Sequence, residues 1–514
     1  MIKNSIKQCI LRCVQELHQL ELSDSDIVIE IPKNRELGDF STNIAFRLAK
    51  PLKQSPLIIA EALCTHINSD SDRYSCSSVK GFINIHLLDD YLWQYLSELL
   101  QTKPEFSKLS ESILLEYVSA NPTGPLHVGH GRWAVLGAAL SRLFVFTQQR
   151  FKTETYINDA GNQISLFYES VNAVKEGKVI PENGYHGHYI HDLASSEADP
   201  VKAIIQQQRQ TLDRLGVSFD TWYSEKSLHE SSKIDDVLSF LKTSSLSYES
   251  DDALWFKSSS FGDDKDRVLI KSDHSYTYFL VDLAYHFDKV NRGFDYIINI
   301  WGADHHGYVP RVQAGIQSFT SEKKDVQFKV LIGQLVSLFR NGEAVRMSKR
   351  TGEMITLDEV IDEIGVDATS YFLLHKSSDS TIDFDLELAK QKNAENPVFY
   401  VQYAHARMCT LLSKFDDVKP FDGKVSFTPE ERALATLCLL FYDVVWDATS
   451  SLSPYKLTQY CVQLAKAFHV FYEHCPIKSS DDETQRKRLC LVTFTKDILK
   501  NALNLCGISA PQRM

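Results

Sequence analysis

A chain of 514 residues is too long for one hydrophobic core, so its length predicts about three domains. Hydrophobic residues make up 43% of the chain and charged residues 24%, which is typical of soluble globular proteins. The net charge of −12 disfavours nonspecific binding of nucleic acids, but it does not exclude an RNA that is bound by local basic patches. We find neither a long apolar run nor a signal peptide, and the ten cysteines form no C-x-x-C pair. We therefore expect a protein of the reducing cytoplasm that does not enter a membrane.

The first hundred residues have the pattern of a separate α/β unit, which we place at residues 1–105. The polar stretch ELGDFSTN, from Glu36 to Asn43, is predicted to form a turn that leads into a helix. The longer stretch ELGDFSTNIAFRLAK resembles the appended N-terminal domain of arginyl-tRNA synthetases, which implies that this unit contacts tRNA. Pro104 marks a linker into the next domain. The predicted elements are a helix at Ile2–Leu20, a strand at Ile27–Ile31, a helix through Lys50 capped by Asp39 or Ser41, and a closing strand at Gly81–Ile85.

The most informative stretch of the chain runs from Glu116 to Trp133 and reads EYVSANPTGPLHVGHGRW. An apolar run at Ile113–Ser119 predicts a buried strand before it. The segment Val128–Phe146 is rich in alanine and leucine, lacks proline and is predicted to be a helix. Two prolines and a glycine in the loop between them rule out a regular element there.

Two histidines mark the start of the predicted helix. His127 and His130 lie three residues apart, on one side of the first turn. A helix N-terminus offers unpaired N–H groups and positive potential, which suit a phosphate. Gly129 has no side chain to keep a ligand away from the backbone. On this pattern alone, the alternative is a helix start with two incidental histidines.

The whole stretch resembles the HIGH motif of class I aminoacyl-tRNA synthetases, and its flanks EYVSANPTGP and GR resemble the bacterial type of arginyl-tRNA synthetase. The resemblance implies that His127, Gly129 and His130 bind ATP and that both histidines stabilise the transition state of amino-acid activation. It also implies that Glu116 and Asn121, together with His130, contact the amino-acid substrate, the first two at its amino end.

After this motif the strand–helix–strand pattern predicts a parallel sheet with crossover helices, placed at residues 106–384. Lys152–Tyr156 is its second predicted strand, and the following loop INDAGNQI again resembles the family. Residues from about Ser165 to Asp266 break the pattern, so we interpret them as an insertion between two halves of a Rossmann-type fold that resumes at Val268–Lys271. Within it, YHGHYI (Tyr185–Ile190) is compatible with a metal site, but no cysteine or carboxylate has ligand spacing.

The segment YTYFLVDLAYHFDKV is a helix candidate in which Tyr278 and Asp282 share one face. From the residues alone, Asp282 is either a solvent-facing carboxylate or part of a site. The segment resembles the TYFxxDxAY pattern of arginyl-tRNA synthetases, which implies that these two residues bind the substrate's guanidinium group. A planar cation with five donors is well matched by carboxylates and aromatic faces.

Two further loops resemble the family. The first follows Asp295–Ile300, which is a predicted buried strand, and reads IWGADHHGY. The resemblance implies that Gly302, Asp304 and His305 contact ATP and that His306 contacts arginine. From the residues alone, a metal site is the alternative. Gln327–Phe339 is predicted to be a strand pair, followed by an Asn341-Gly342 turn. The basic loop RMSKRTG, from Arg346, resembles the KMSKS loop, with Arg346 in place of the first lysine. The resemblance implies ATP contacts from Met347, Ser348 and Lys349, and stabilisation of the leaving pyrophosphate by Lys349.

The last part of the chain, 385–514, is predicted to be a helix bundle, because apolar residues recur at helical spacing. A dimerisation or scaffold role is one interpretation. NPVFYVQYAHAR and the final GISAPQRM resemble the anticodon-binding domain of arginyl-tRNA synthetases, where Tyr400 and Tyr403 are available to stack on bases. The predicted helical segments are Ile355–Leu374 before the bundle and Ala389–Lys414, Pro429–Ala448, Pro454–His474 and Asp481–Cys506 within it.

The resemblance covers nearly the whole chain and implies an arginine–tRNA ligase that uses ATP with Mg²⁺, L-arginine and tRNA(Arg). No dedicated metal site is expected, and we expect a monomer. Two rival functions remain: a nucleotidyltransferase of the same HIGH superfamily, and a synthetase-like protein that binds RNA without catalysis. The appended domains argue against the first, and the intact His127, His130 and Lys349 argue against the second.

Overall fold

The computed structural model describes residues 1–32, 34–320, 326–345, 355–415 and 418–514. The N-terminal part forms a three-stranded antiparallel sheet with helices packed on it. The first helix buries Ile2, Ile6, Ile10 and Val14, which lie four residues apart along one face. The elements of the N-terminal part are α1 (Ile2–His18), β1 (Phe40–Thr42), α2 (Ile44–Leu52), α3 (Pro56–Asp70), β2 (Tyr74–Val79), β3 (Phe82–Leu87) and α4 (Asp89–Gln101).

Two local predictions in this part are wrong. Ile27–Ile31 is not a strand, because only Glu30 forms an isolated bridge, to Ser41. Neither Asp39 nor Ser41 caps α2, since the helix begins after Asn43 without a side-chain cap. Asp39 is instead buried against the C-terminal domain.

The middle of the chain carries the parallel sheet. Its elements are β4 (Ile113–Glu116), α5 (Val128–Phe146), β5 (Phe151–Ile157), α6 (Asn162–Lys175), α7 (His188–Ala194), α8 (Pro200–Arg214), β6 (Thr221–Ser224), α9 (Glu225–Glu230), α10 (Lys233–Thr243), β7 (Ser247–Ser250), β8 (Ala253–Phe256), β9 (Arg267–Ile270), α11 (Tyr278–Asn291), β10 (Tyr296–Gly302), α12 (Val309–Thr320) and β11 (Gln327–Gly333). The helix predicted at Val128–Phe146 is confirmed at both ends.

The five parallel strands lie in the order β11-β10-β4-β5-β6. All four residues of β4 are buried at the centre of this sheet, three of them apolar and the fourth Glu116. The predicted strand Ile113–Ser119 is too long, because β4 ends at Glu116 and the φ angles of Val118 and Ser119 are positive, at 72° and 42°. The chain leaves β4 in one direction along the sheet and returns on its other side at β10. This reversal opens a crevice at the carboxyl ends of β4 and β10, where open α/β sheets bind their ligands.

The structure corrects the predicted insertion. β6 lies inside the range 165–266, yet it pairs in parallel with β5 and belongs to the central sheet. The strand predicted at Val268–Lys271 does not resume that sheet, because β9 pairs antiparallel with β8 in a separate three-stranded sheet. The second half of the parallel sheet resumes only at β10.

The elements that follow are β12 (Val336–Arg340), β13 (Glu343–Ala344), α13 (Leu357–Ile364), α14 (Val366–Leu374), β14 (Ile382–Asp385) and α15 (Leu386–Lys390). The turn predicted at Asn341-Gly342 joins the paired strands β12 and β13. The predicted strand pair over Gln327–Phe339 is wrong, because β11 and β12 belong to different sheets. The predicted helix Ile355–Leu374 is divided at Gly365, whose φ of 81° is incompatible with a continuous helix.

The C-terminal part is a helix bundle, as predicted, formed by α16 (Pro397–Leu412), α17 (Pro429–Leu439), α18 (Phe441–Ser450), α19 (Tyr455–His474) and α20 (Asp482–Cys506). The first predicted segment is shorter than expected, since α16 begins at Pro397, with the side chain of Asn396 as its cap. By length and composition alone, the segment Pro429–Ser450 could cross a membrane, which the sequence analysis did not expect. However, 61% of the most apolar 18 residues of this segment are buried inside the protein.

One arginine joins the first and last domains. Arg432 of α17 donates to Asp39 at 2.8 Å, to Asp89 at 2.8 Å and to the Leu87 carbonyl oxygen at 2.6 Å. The side chain of Asp39 is only 6% exposed, and Arg432 is its closest cationic partner. Its carboxylate also accepts from the Leu87 N–H at 2.9 Å and the Thr436 hydroxyl at 3.3 Å, and His86 Nδ1 lies 3.9 Å away. The ELGDFSTN stretch therefore serves, in part, to attach the N-terminal domain to the bundle.

Replacing Arg432 with methionine should reduce the free energy of unfolding by about 3 kcal/mol, because a buried carboxylate loses its main counter-ion. Denaturant titration of the full chain measures this loss. Asp39→Asn in the same background should restore part of the stability, since it removes the unpaired charge. A loss of less than about 1 kcal/mol, the scale of an exposed ion pair, would contradict the assignment of this contact.

Candidate active site

A cavity of about 730 Å³ opens at the carboxyl ends of β4, β5 and β10. Most of the predicted site residues line it, although they come from distant parts of the chain: Glu116, Asn121, His127, His130, Tyr278, Asp282, Gly302, Asp304 and His305. Two predicted residues, Gly129 and His306, do not line the cavity. Gly129 lies behind the ring of His127, and His306 is exposed outside the cavity. Residues 346–354 lie outside the described residues, so the predictions for Arg346, Met347, Ser348 and Lys349 stay predictions.

The two histidines cap the helix α5 with their rings. His127 Nδ1 accepts from the backbone N–H groups of Gly129 at 3.1 Å and His130 at 3.4 Å, while His130 Nδ1 accepts from the His127 N–H at 3.2 Å. The ring centroids are 3.7 Å apart. Because each Nδ1 accepts a hydrogen bond, the proton of a neutral ring is on Nε2. The pair thus presents N–H donors at a helix N-terminus, which suits an anionic ligand.

Acidic side chains form the opposite wall of the cavity. Asp282 lies on α11, and burial together with the nearby charges of Glu225 and Glu116 raises the pKa of its carboxyl group to about 7. The nearby hydroxyl of Tyr308 lowers the pKa of Asp282 and so partly offsets this rise. Burial also raises the pKa of Glu225, which accepts from the Tyr156 hydroxyl at 2.8 Å. Such carboxylates are stabilised by a bound cation.

Glu116 is already paired at the floor of the cavity. Its carboxylate contacts the ammonium group of Lys289, which is fully buried, and accepts from the Ser119 hydroxyl at 2.8 Å. Lys289 also donates to Asn299 at 3.1 Å, and Asn299 contacts the ring of His286 at 3.0 Å. Lys289 pairs directly with Glu116, whereas Glu225 has only His229, whose Nε2 lies 3.9 Å away, and Asp282 has no ion pair among the described residues.

A second ion pair supports this wall from behind. Arg292 donates to both oxygens of Glu154 on β5, at 2.6 and 2.9 Å, and Tyr285 donates to the same carboxylate at 2.7 Å. Tyr285 also lines the cavity. The pair fixes α11 against the sheet and so fixes the position of Asp282.

The prediction that Tyr278 and Asp282 face one site is consistent with the structure, where both line the cavity from the same side of α11. Tyr278 is 69% exposed and lies at the opening. The Asp304 and His305 side chains are also exposed there, 3.7 Å apart. At Gly302 a Cβ atom would lie 2.8 Å from the Trp133 ring, so only glycine fits this close approach.

Sequence reasoning missed Glu225, Lys289 and Tyr308. Glu225 lies in the range interpreted as an insertion, and nothing local distinguishes it from a surface carboxylate. Lys289 carried a weak signal: it lies seven residues after Asp282, on nearly the same face of an apolar helix. A lysine on the buried face of a helix requires a counter-ion, but the sequence does not say which one.

Comparison with known proteins agrees with these observations. Family models match residues 1–87 (arginyl tRNA synthetase N terminal domain), 188–409 (tRNA synthetases class I (R), catalytic domain) and 401–514 (DALR anticodon binding domain). The chain is 41% identical to arginine–tRNA ligase 1 of Halalkalibacterium halodurans, over 95% of this chain and 94% of that protein. It is 37% identical to the arginine–tRNA ligase of Aquifex aeolicus over the full length of both. The solved arginyl-tRNA synthetase of Thermus thermophilus shares the fold, with a TM-score of 0.84 and 21% identity over the full length of both chains.

Proposed function

The chain belongs to the arginyl-tRNA synthetase family, and on this premise we propose which side chains carry out its reaction. It is an enzyme that uses ATP to join arginine to tRNA, and the match to relatives over the full chain favours this activity over a nucleotidyltransferase or a binding-only protein. The observation that carries the proposal is one cavity with an acidic wall on one side and a helix N-terminus capped by two histidines on the other.

Arginine lies against the acidic wall. Its guanidinium group contacts Asp282 and Glu225, with Tyr278 at the opening. Two carboxylates without a lysine or arginine partner suit a substrate that carries a guanidinium and an ammonium group. Glu116 and Asn121 serve the amino end; Glu116 is already oriented by Lys289 and Ser119, and Asn121 donates to Gln163 at 2.7 Å. A neutral amino acid would leave these carboxylates unpaired and is rejected.

ATP lies with its phosphates at the start of α5. The Nε2–H groups of His127 and His130 face the phosphates, and Gly302, Asp304 and His305 lie at the opening. Lys349 stabilises the leaving pyrophosphate, as the resemblance of its loop to the KMSKS motif implies. Mg²⁺ would be supplied with ATP and would offset the charge of its phosphates.

The reaction then proceeds in two displacements. The arginine carboxylate attacks the α-phosphate and pyrophosphate leaves; a ribose hydroxyl of the tRNA 3′ end next attacks the arginyl carbonyl and AMP leaves. The protein aligns the reacting groups and stabilises the charge that develops on the phosphate. We propose that tRNA binds to the N-terminal domain of residues 1–105, to the helix bundle of residues 385–514, where Tyr400 and Tyr403 stack on bases, and in the cavity. We also propose that the protein is a cytoplasmic monomer. Sedimentation of the pure chain tests the monomer.

The direct test is charging of tRNA with each of the twenty amino acids in turn. Only arginine should be attached, and only with ATP. Charging with another amino acid, or none with arginine, would overturn the proposal. Citrulline, which is neutral and close to arginine in shape, should not be attached by the wild-type chain.

The raised pKa of Asp282 predicts a pH dependence of arginine binding. A cation binds the ionised carboxylate, so below the pKa of about 7 each bound arginine must displace a proton. The apparent KM for arginine should therefore fall by about tenfold per pH unit up to roughly pH 7 and level off above it. Steady-state charging between roughly pH 6 and pH 8 checks this. Asp282→Asn should lose the dependence, and a flat profile for the wild-type chain would contradict the role of this group.

A further inference from the structure

A second cavity, of about 620 Å³, lies where the central sheet meets the C-terminal bundle. It is lined by the second half of α5, the start of β5, the loop at residues 216–220 and the last turns of α20, and we call it the junction cavity. None of its described lining residues also lines the cavity of the candidate active site. Its volume lies within the range of about 300–1,000 Å³ that is typical of sites for small molecules.

Aromatic side chains form much of the wall of the junction cavity. The ring of Tyr117 lies against the ring of Phe219, with the centroids 4.5 Å apart. On its other side the same ring packs directly on the backbone of α5, because a Cβ atom at Gly137 would collide with it. Phe146 and Phe151 also line the cavity. These fixed rings offer flat apolar surfaces on which another aromatic group can pack.

The half-buried Arg142 supplies a positive charge to this wall. Its Nη2 donates to the carbonyl oxygens of Leu215 and Gly216, each at 3.4 Å, which is long for such a bond. A guanidinium group carries five N–H donors, and within the described part of the chain Arg142 has no carboxylate partner. Burial lowers the pKa of Arg142, so its charge is held partly out of water. An anion in the cavity would satisfy the remaining donors.

The other charges of the junction cavity also favour an anion. Lys103 places its Nζ 4.3 Å from the centroid of the Phe146 ring, and no carboxylate among the described residues pairs with it. The one carboxylate among the described lining residues is Asp220, which is already paired with Lys152 at 2.7 Å and accepts from the Thr153 N–H at 2.8 Å. Two cations without acidic partners therefore face the cavity.

Arg142 also has a structural role at the end of α20. Its guanidinium group packs against Gly507, where a Cβ atom would lie 2.5 Å from Nη1, and a positive charge is favoured at the C-terminus of a helix. This role accounts for a cation at position 142. It does not account for the aromatic cavity beside it or for the second cation at Lys103.

We propose that the junction cavity is a second small-molecule site, which binds an organic anion with a flat aromatic body. The acid group of the ligand pairs with Arg142 and Lys103, and its rings pack on Tyr117, Phe146 and Phe219. The site is distinct from those assigned to ATP and arginine. It does not rest on the proposed function, because none of its lining residues takes part in the reaction as assigned above.

The test uses anilinonaphthalene sulfonate, an aromatic monoanion that fluoresces when it leaves water, and phenylnaphthylamine, which has the same rings without the charge. Both are titrated into the full-length chain at saturating ATP and arginine, which fill the cavity of the candidate active site. Arg142→Met should weaken binding of the sulfonate by about tenfold or more, the effect of losing a charge-assisted hydrogen bond, and leave binding of the neutral probe unchanged.

Two further variants keep this test decisive. Lys103→Met changes an exposed side chain and should also weaken binding of the sulfonate, and not of the neutral probe, even if Arg142→Met does not fold. The matched control is Arg150→Met, which removes an exposed arginine shortly after α5, outside the junction cavity, and should leave both affinities unchanged.

The outcomes that would overturn the inference are distinct from failure of the proposed function. If Arg142→Met lowers the thermal midpoint but binds the sulfonate as tightly as the wild-type chain does, Arg142 serves only the end of α20. If a transcript of the arginine tRNA displaces the sulfonate, the cavity belongs to the tRNA surface and the inference is also wrong. Charging of arginine is measured separately, and its absence would overturn the proposed function alone.

Discussion

Asp282→Asn is expected to raise the apparent KM for arginine by about a hundredfold to a few thousandfold. The change preserves the size of the side chain but removes the charge that faces the guanidinium group in a buried site. Leaving one partner of a buried ion pair unmatched costs about 3–5 kcal/mol, and each 1.4 kcal/mol is roughly a factor of ten in affinity. Steady-state charging at saturating ATP and tRNA measures the effect, and the KM values for ATP and tRNA should stay close to normal.

Two comparisons make this result specific. In Asp282→Asn the apparent KM for citrulline should be much closer to that for arginine than in the wild-type chain, because the variant no longer has the carboxylate that stabilises the positive charge. Asp288→Asn, on the same helix, removes a carboxylate that pairs with Lys233 at 3.1 Å and Arg292 at 3.2 Å and does not line the cavity. It should lower stability while the KM for arginine stays the same. An unchanged KM in Asp282→Asn would mean that Glu225 alone reads the guanidinium group.

Replacement of either His127 or His130 is expected to lower kcat by about 10²–10³-fold, the usual effect of losing one donor to a transition state. The structure complicates the simple alanine change, since both rings also accept backbone N–H groups at the start of α5. Alanine at position 127 removes this cap as well, at about 1 kcal/mol of stability.

Asparagine separates the two effects. Its side-chain oxygen can still accept the backbone N–H groups, but it lacks the ring nitrogen Nε2. His127→Asn should therefore lose activity to the same extent as His127→Ala while its thermal midpoint stays closer to that of the wild-type chain. The KM for arginine should change little in either variant. Near-normal turnover in His127→Asn would show that the ring serves only as a helix cap.

The local pattern of residues determined most of the elements that carry the site. The run of alanine and leucine without proline predicted α5 from Val128 to Phe146, and the apolar run before it predicted where β4 begins but not where it ends. Asn341-Gly342 fixed a turn, since those residue types adopt its backbone conformation. These features depend on residues within a few positions of one another, so they can be read from the sequence.

Tertiary structure decided which elements pair and which charges meet. Thr221–Ser224 and Arg267–Ile270 are similar short strands, yet the first joins the parallel sheet and the second a separate hairpin sheet. Three contacts of the site and the domain interface join residues that are far apart in the chain. Glu116 pairs with Lys289, Asp39 pairs with Arg432, and Glu225 lines the same cavity as Asp282. A buried charge requires a counter-ion, but the identity of that partner depends on the packing of whole domains, which local periodicity does not encode.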